Sequence, residues 1–218
     1  MNLFSNDGWF TRLFSPIGDI IVVNILFLIC SLPIFTIGTS LSAMYYALMR
    51  NQRTGDTGGI VKLFFKGFKD NFKKSTIAWL IFLFISLMFA WDFYIFGPTG
   101  PMSNKPLYYI SIVFMVAVSF IAIYLFPVIS AFENTLLELV KQSMYLAIKN
   151  IIFTFVIFIL YTVPVFFLLS NVKVFMVGIF LFIACGFGLI AYVSSFMFVK
   201  AFSPYLEEIR KVYTDDDL

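Results

Sequence analysis

The chain of 218 residues contains no histidine. That removes imidazole metal sites, Ser-His-Asp triads and histidine proton relays at once. Charge is scarce too: only 12% of residues are charged, against roughly 25% in soluble domains. The two cysteines, Cys30 and Cys185, both lie in apolar stretches with no metal or redox spacing, so they read as packing residues. No GxxxxGK[ST] loop is present, which excludes an ordinary ATPase, and Ser/Lys combinations fall at interface positions without a catalytic spacing. A net charge of +3 is too small to imply nucleic acid. The expectation is a protein that is not an enzyme and takes no cofactor and no metal.

What fills the chain is apolar: 61% of residues are hydrophobic and 20% aromatic. Uncharged apolar runs occupy 76–91, 107–132, 150–172 and 174–199, after an earlier one from Ile20 to Met49. Runs of roughly 18 to 25 apolar residues are what a ~30 Å hydrocarbon slab requires of a helix, whose backbone groups must be satisfied internally. The sequence predicts an all-α, polytopic helical membrane protein, one integral domain over 1–218. About five transmembrane helices are expected, near 18–49, 76–96, 107–131, 151–171 and 174–199. The first is broken near Pro33–Gly38, because Pro33 lacks an N–H and Gly38 permits unusual backbone angles. One broken span with an outer N-terminus is favoured; two short tilted spans with an inner N-terminus is the alternative.

The basic residues orient these spans. Segment 50–74 carries seven, 133–149 carries Lys141 and Lys149, and the tail carries Lys200, Arg210 and Lys211, twelve of the fifteen in all. Arg12, Lys105 and Lys173 fall on the other side. A multi-pass protein of a bacterial cell membrane with a cytoplasmic C-terminus follows. Arg12 is the lone basic residue before the first run, so no cleaved secretory signal is expected.

Residues 1–16 read as a short interfacial segment rich in aromatics. In 60–74, Ile60, Phe64, Phe68 and Phe72 recur every fourth residue, flanked by Val61 and Phe65, while Lys62, Lys66, Lys69 and Lys73 take the other side, with Lys74 following. A helix of this kind lies flat on an anionic inner leaflet, each basic residue contributing ~1 kcal/mol. It serves either as a topology anchor or as a docking surface for a partner. Segment 133–149 is a second amphipathic helix with Leu136, Leu137, Val140, Met144 and Ile148 on its expected apolar face. The tail, 203–218, is a solvated helix ending in Asp215-Asp216-Asp217. An inner amphipathic helix, an outward span and a return span occur twice, which reads either as a parallel repeat or as chance likeness between Phe-rich helices.

Carboxylates are absent from the span centres, so a self-sufficient ion pump is not expected. Asp92 is the weak intramembrane candidate, beside Trp91, Phe93 and Tyr94, where an interfacial carboxylate can also simply reach water. Asp19 sits at the entry of the first span, where an acidic residue suits the helix dipole.

Two separated elements carry a resemblance. The first runs from Gly18 through Asn24 to Ser31-Leu32-Pro33-Ile34-Phe35-Thr36-Ile37-Gly38-Thr39-Ser40 and on to Ala43-Met44-Tyr45-Tyr46; the second is Phe65-Lys66-Gly67-Phe68-Lys69-Asp70-Asn71-Phe72-Lys73-Lys74-Ser75-Thr76. Together they resemble the signature of the YesL-like bacterial membrane proteins. The resemblance implies no assigned biochemical activity and an accessory role in carbohydrate uptake beside ABC-type importers. It implies no catalytic residues; Asn24, Pro33, Thr36, Gly38, Tyr46, Phe68, Asn71 and Phe72 occupy its motif positions. On physical grounds Pro33, Thr36 and Gly38 shape the break, Asn24 makes an interhelical hydrogen bond, and Asn71 caps or ends the interfacial helix.

The leading expectation is a non-enzymatic subunit that binds ABC-importer permease subunits through its inner amphipathic helices. An independent small-solute transporter or channel is the alternative, prompted by the broken first span. A membrane sensor or regulator acting at the cytoplasmic face is the third reading.

Overall fold

A computed structural model describes residues 9–54, 59–170 and 172–215, with side chains described for 16–53, 59–168 and most of 175–205. The expectations placed on residues 1–8, on 216–218 and on the side chains of Arg12, Lys173, Arg210, Lys211 and Asp215 lie outside the described residues. Regular structure among the described residues is helical throughout: α1 (Trp9–Cys30), a 3-10 turn (Ile34–Thr36), α2 (Ile37–Thr54), α3 (Ile60–Phe96), α4 (Lys105–Ala131), α5 (Leu136–Lys149), α6 (Ile151–Ser170), α7 (Val172–Leu181), a π-helical segment (Phe182–Gly186) and α8 (Phe187–Asp215). Four helices are long and apolar enough to cross a membrane: Ile60–Phe96, Lys105–Ala131, Ile151–Leu168 and the Gly178–Tyr205 stretch; Pro16–Cys30 is a shorter apolar helix. The protein is an all-α, multi-pass membrane protein.

The expected break between Pro33 and Gly38 is present, but it reverses the chain rather than kinking a single span. Asp19 at the start of the apolar part of α1 accepts a 2.9 Å hydrogen bond from Asn51 near the end of α2, so the two helices run antiparallel. The reason lies in the turn. Pro33 caps the 3-10 turn in extended backbone, and the Thr36 hydroxyl lies 2.6 Å from the Cys30 carbonyl and 2.7 Å from that of Pro33. The hairpin tip is apolar and exposed at Leu32, Ile34 and Phe35. It meets α3 at Trp79, whose indole N–H donates to the Ile34 carbonyl at 2.8 Å. Trp79 is near the middle of α3, whose 37 residues measure about 55 Å at ~1.5 Å per residue. The fifteen residues Pro16–Cys30 reach only about 22 Å, short of a ~30 Å slab. The first run is thus an antiparallel helical hairpin, the geometry of the two-segment alternative rather than of one broken span, and it places Asp19 at the same end as Asn51.

Residues 60–74 do not form a separate flat helix. They continue into 75–96 without interruption, because no Pro or Gly intervenes there and α2 packs along the first half. Gly59, at φ +89°, supplies the left-handed turn that starts the helix. Ile60, Leu63, Phe64, Gly67, Ser75 and Ala78 form the buried stripe; Phe68 is half-buried, whereas Val61, Phe65 and Phe72 are exposed. Asn71 neither caps nor ends anything, since its amide donates to the Gly67 carbonyl within a helix that runs on.

The apolar face of α5 is also displaced from the expected one. Leu139, Ser143, Leu146 and Ala147 are buried against α4 and α6, and Leu137, Met144 and Ile148 are exposed. Thr135 and Glu138 form a capping box, and the Thr135 backbone N–H donates to Glu138 at 3.0 Å, which holds that carboxyl below its ordinary range. Asn150 separates α5 from α6, so the second amphipathic helix is bent away from its span while the first is continuous with it. The two units of the suspected repeat differ in this respect.

Candidate functional site

The two motif elements, whose contacting residues are 21 to 37 positions apart in sequence, meet in space as the α2–α3 interface. Gly38, Thr39, Ser42 and Tyr46 recur on one face of α2, and Gly67, Asn71, Ser75 and Thr76 on one face of α3. A Cβ on Gly38 would lie 2.5 Å from the Trp79 Cβ and 2.8 Å from the Ser75 carbonyl oxygen, and one on Gly67 would lie 2.7 Å from the Tyr46 Cβ. Glycine is required at both for the backbones to approach. Hydroxyls join the helices across that gap: Ser75 to Ser42 at 2.8 Å, Ser42 to the Phe126 carbonyl of α4 at 3.2 Å, and Thr39 to Thr76 at 2.9 Å. In lipid, where apolar side chains gain nothing by hiding from one another, close packing and such bonds are what hold helices together.

Tyr45, on the adjoining face of α2, is buried and extends the network. Its hydroxyl meets those of Tyr161 on α6 and, at 3.1 Å, Ser194 on α8, while its ring packs edge-on against Phe198 at 5.4 Å. Gln52 donates to Ser195 at 2.6 Å and to the Tyr192 carbonyl at 3.2 Å. α2 is therefore the hub of the fold, in contact with α1, α3, α4 and α8.

Asn24 closes the second irregular segment. Fully buried on α1, it donates to the carbonyls of Ile183 at 2.7 Å and Phe182 at 3.3 Å and accepts from the Gly188 N–H at 2.8 Å. Widening an α-helix by one residue displaces carbonyls from their usual partners, and this one amide spans the disturbance. A Cβ on Gly188 would sit 2.5 Å from the Ile20 carbonyl, so glycine permits the approach.

The remaining motif residues sit around this frame. Pro33 is at the exposed tip, Phe68 stacks with Phe64 and tilts against Phe72, and the Tyr46 hydroxyl accepts from Arg50 at 2.9 Å. Lys62, Lys66, Lys69 and Lys73 are exposed along the first half of α3, with Lys74 half-buried; Asp92 is half-buried in its last turns, far from the network. Sequence reasoning missed Ser42, Ser75, Tyr45, Gly67 and Trp79. The spacing of small residues, four between Gly38 and Ser42 and eight between Gly67 and Ser75, was the available signal.

Two cavities adjoin the frame. One, of about 280 Å³, opens between α2, α3, α4 and α6 and is walled by Trp79, Phe82, Phe126 and Phe158 with Tyr45, Ser119 and Thr162. The other, of about 360 Å³, lies where the ends of α2 and α4 meet α8, and Arg50 and Arg53 line it. Among the described residues no group of His, Cys, Asp or Glu is placed to hold a metal ion. No curated protein and no solved structure matches the chain. Residues 20–93, which contain the second half of α1, all of α2 and nearly all of α3, match the model of a family described as a protein of unknown function, DUF624.

Proposed function

We propose that this is a non-enzymatic, YesL-like protein of the bacterial cell membrane, with a cytoplasmic C-terminus, that acts as an accessory subunit of carbohydrate ABC-type uptake. Its cytoplasmic face would bind the permease subunits, with the lysine-bearing half of α3 as the principal contact. Support for the location comes from the twelve basic residues on one side, and support for the partner from the YesL-like resemblance.

The observation that carries the reading against independent transport is the closure of both breaks. Transporters place discontinuous helices where their free backbone groups coordinate the solute. Here Thr36 and Trp79 occupy the Cys30, Pro33 and Ile34 carbonyls at the first break, and Asn24 the Phe182 and Ile183 carbonyls at the second. Irregular backbone that is already satisfied by the protein is fixed architecture. Purification of the tagged protein in mild detergent, from cells growing on the relevant glycan, is expected to recover permease subunits; repeated recovery without them overturns the proposal.

The cavity beside Tyr45 favours a second reading, an independent small-solute transporter. Solute flux into liposomes that contain only this protein would establish it.

A further inference from the structure

The cavity between α2, α3, α4 and α6, of about 280 Å³, lies among the membrane-spanning stretches and has no charged side chain on its wall. Much of that wall is aromatic. The Trp79 ring tilts against Phe82 at 5.9 Å and against Phe126 at 6.3 Å, and Phe158 adds a ring from α6. Trp79, Phe82 and Phe158 are half-buried, so their rings keep accessible surface. Because the Trp79 indole N–H is given to the Ile34 carbonyl, what Trp79 offers the cavity is its ring.

Two polar groups of the lining residues are left over. Pro127 has no N–H to give to the Ile123 carbonyl one turn back in α4, and Ile123 lines the cavity. In lipid, carbonyls freed by proline are taken up by neighbouring groups. Ser42 and Ser130 donate to the adjacent carbonyls of Phe126 and Pro127, but among the described residues no side chain donates to that of Ile123. The second group is the hydroxyl of Thr162, an exposed residue that forms no hydrogen bond with any described side chain. The other hydroxyls of the wall are engaged, Tyr45 with Tyr161 and Ser119 with the Met115 carbonyl.

We infer that this cavity binds a neutral, membrane-soluble lipid whose head is a flat ring bearing a hydroxyl, of the phenol or quinol class. The ring stacks on the aromatic wall, its O–H donates to the Ile123 carbonyl, and its oxygen accepts from Thr162. Each alternative guest fails on one of these points. A plain acyl chain leaves both polar groups unmet and gains less than a ring from aromatic neighbours. A charged solute would lose its hydration against a wall that offers no counter-charge. The site goes beyond both functional readings above, since it requires neither a permease nor solute flux.

The test uses para-octylphenol, its methyl ether and octylbenzene, which share a ring and chain and differ in the polar group. They are titrated into the full-length protein in lipid nanodiscs, with protein-free nanodiscs as the partition blank. Wild type is expected to bind the phenol about fivefold more tightly than the ether, the worth of one hydrogen-bond donor, and to bind the hydrocarbon most weakly. Pro127→Ala returns an N–H to the Ile123 carbonyl, so it should bring the phenol down to the level of the ether and leave the ether unchanged. Thr162→Val should weaken phenol and ether by a similar factor and spare the hydrocarbon. Ala122→Phe, which fills the cavity, should abolish binding of all three; if that variant does not fold, Pro127→Ala decides the matter. Equal binding of phenol and ether by wild type would mean that water or backbone already satisfies the Ile123 carbonyl, and overturns the proposal. A phenol preference that survives in Pro127→Ala overturns it too, as does binding that a folded Ala122→Phe protein retains.

Discussion

α2 and α6 are built inside out relative to each other. α6 is a nearly uninterrupted run of Ile, Phe, Val and Leu, whereas α2 carries Thr39, Ser40, Ser42, Tyr45, Tyr46 and Arg50 within 18 residues. Hydropathy alone would bury α6 and expose α2, and the structure does the opposite. Thr39 and Ser42, whose hydroxyls are hydrogen-bonded, are fully buried, while Ile152 and Phe166 of α6 are 75% and 69% exposed. The difference is one of solvent. Lipid tails are as apolar as leucine, so exposing α6 costs little. A hydroxyl facing lipid would lose a hydrogen bond, so α2 is stable only among other helices. The glycines obey the same logic, since close approach matters where dispersion and hydrogen bonding do the work.

Replacing the glycine at the closest approach should break this contrast most severely. Gly38→Val places a branched side chain against the Trp79 Cβ and the Ser75 backbone, and backbone cannot swing aside. Overpacking of this kind costs roughly 1–3 kcal/mol, occasionally more, and Gly38→Val belongs at the upper end. Thermal unfolding in detergent should show a large fall in midpoint, or no folded protein. Gly18→Val, at a position with open space around it, serves as the control and should be nearly neutral. A Gly38→Val protein as stable as wild type would mean that the α2–α3 contact is looser than described.

The next effect in size belongs to Asn24. Asn24→Leu keeps the branching of the side chain, at a larger volume, and removes the amide, leaving the Phe182 and Ile183 carbonyls and the Gly188 N–H without their partner. An orphaned buried polar group costs about 1–3 kcal/mol, and local rearrangement of the π-helical segment would recover part of it. A net loss of about 2 kcal/mol is expected, with faster hydrogen exchange at the Gly188 amide than in wild type. Unchanged exchange there would show that the segment holds itself together and that Asn24 is dispensable.

Much of this architecture was legible in the sequence, and what was not has a physical cause. Apolar run length identifies α4 and α6 because each crosses alone. The break at Pro33 was visible because proline and glycine act locally. Chain reversal was not, since it depends on Asn51 reaching Asp19 and on Trp79 reaching Ile34, contacts between residues 32 and 45 positions apart. The lysine pattern of 60–74 correctly marks an amphipathic helix, yet it cannot reveal that α2, rather than lipid, covers the Phe64–Gly67 face. On α5 the error was a partial rotation about the helix axis. An apolar residue there has two environments to choose from, and Leu137 takes the exposed side while Leu139 takes the interior.

The smallest expected effect falls on α6, and it sharpens the comparison by being small. Phe166→Ala removes a large, exposed ring from a helix whose polar contacts, Thr154 to Tyr124 and Tyr161 to Tyr45, are made by other residues along it. In a water-soluble core, Phe→Ala leaves a cavity and costs about 3–5 kcal/mol. At a lipid-facing position the surrounding chains refill the space, and the unfolding midpoint in detergent should move by no more than a change of about 0.5 kcal/mol, the range of an ordinary surface substitution. A loss well above 1 kcal/mol would contradict that assignment. It would mean that the outer face of α6 is packed against protein in the assembled state, and that the apparent inside-out design of this helix is half of an interface.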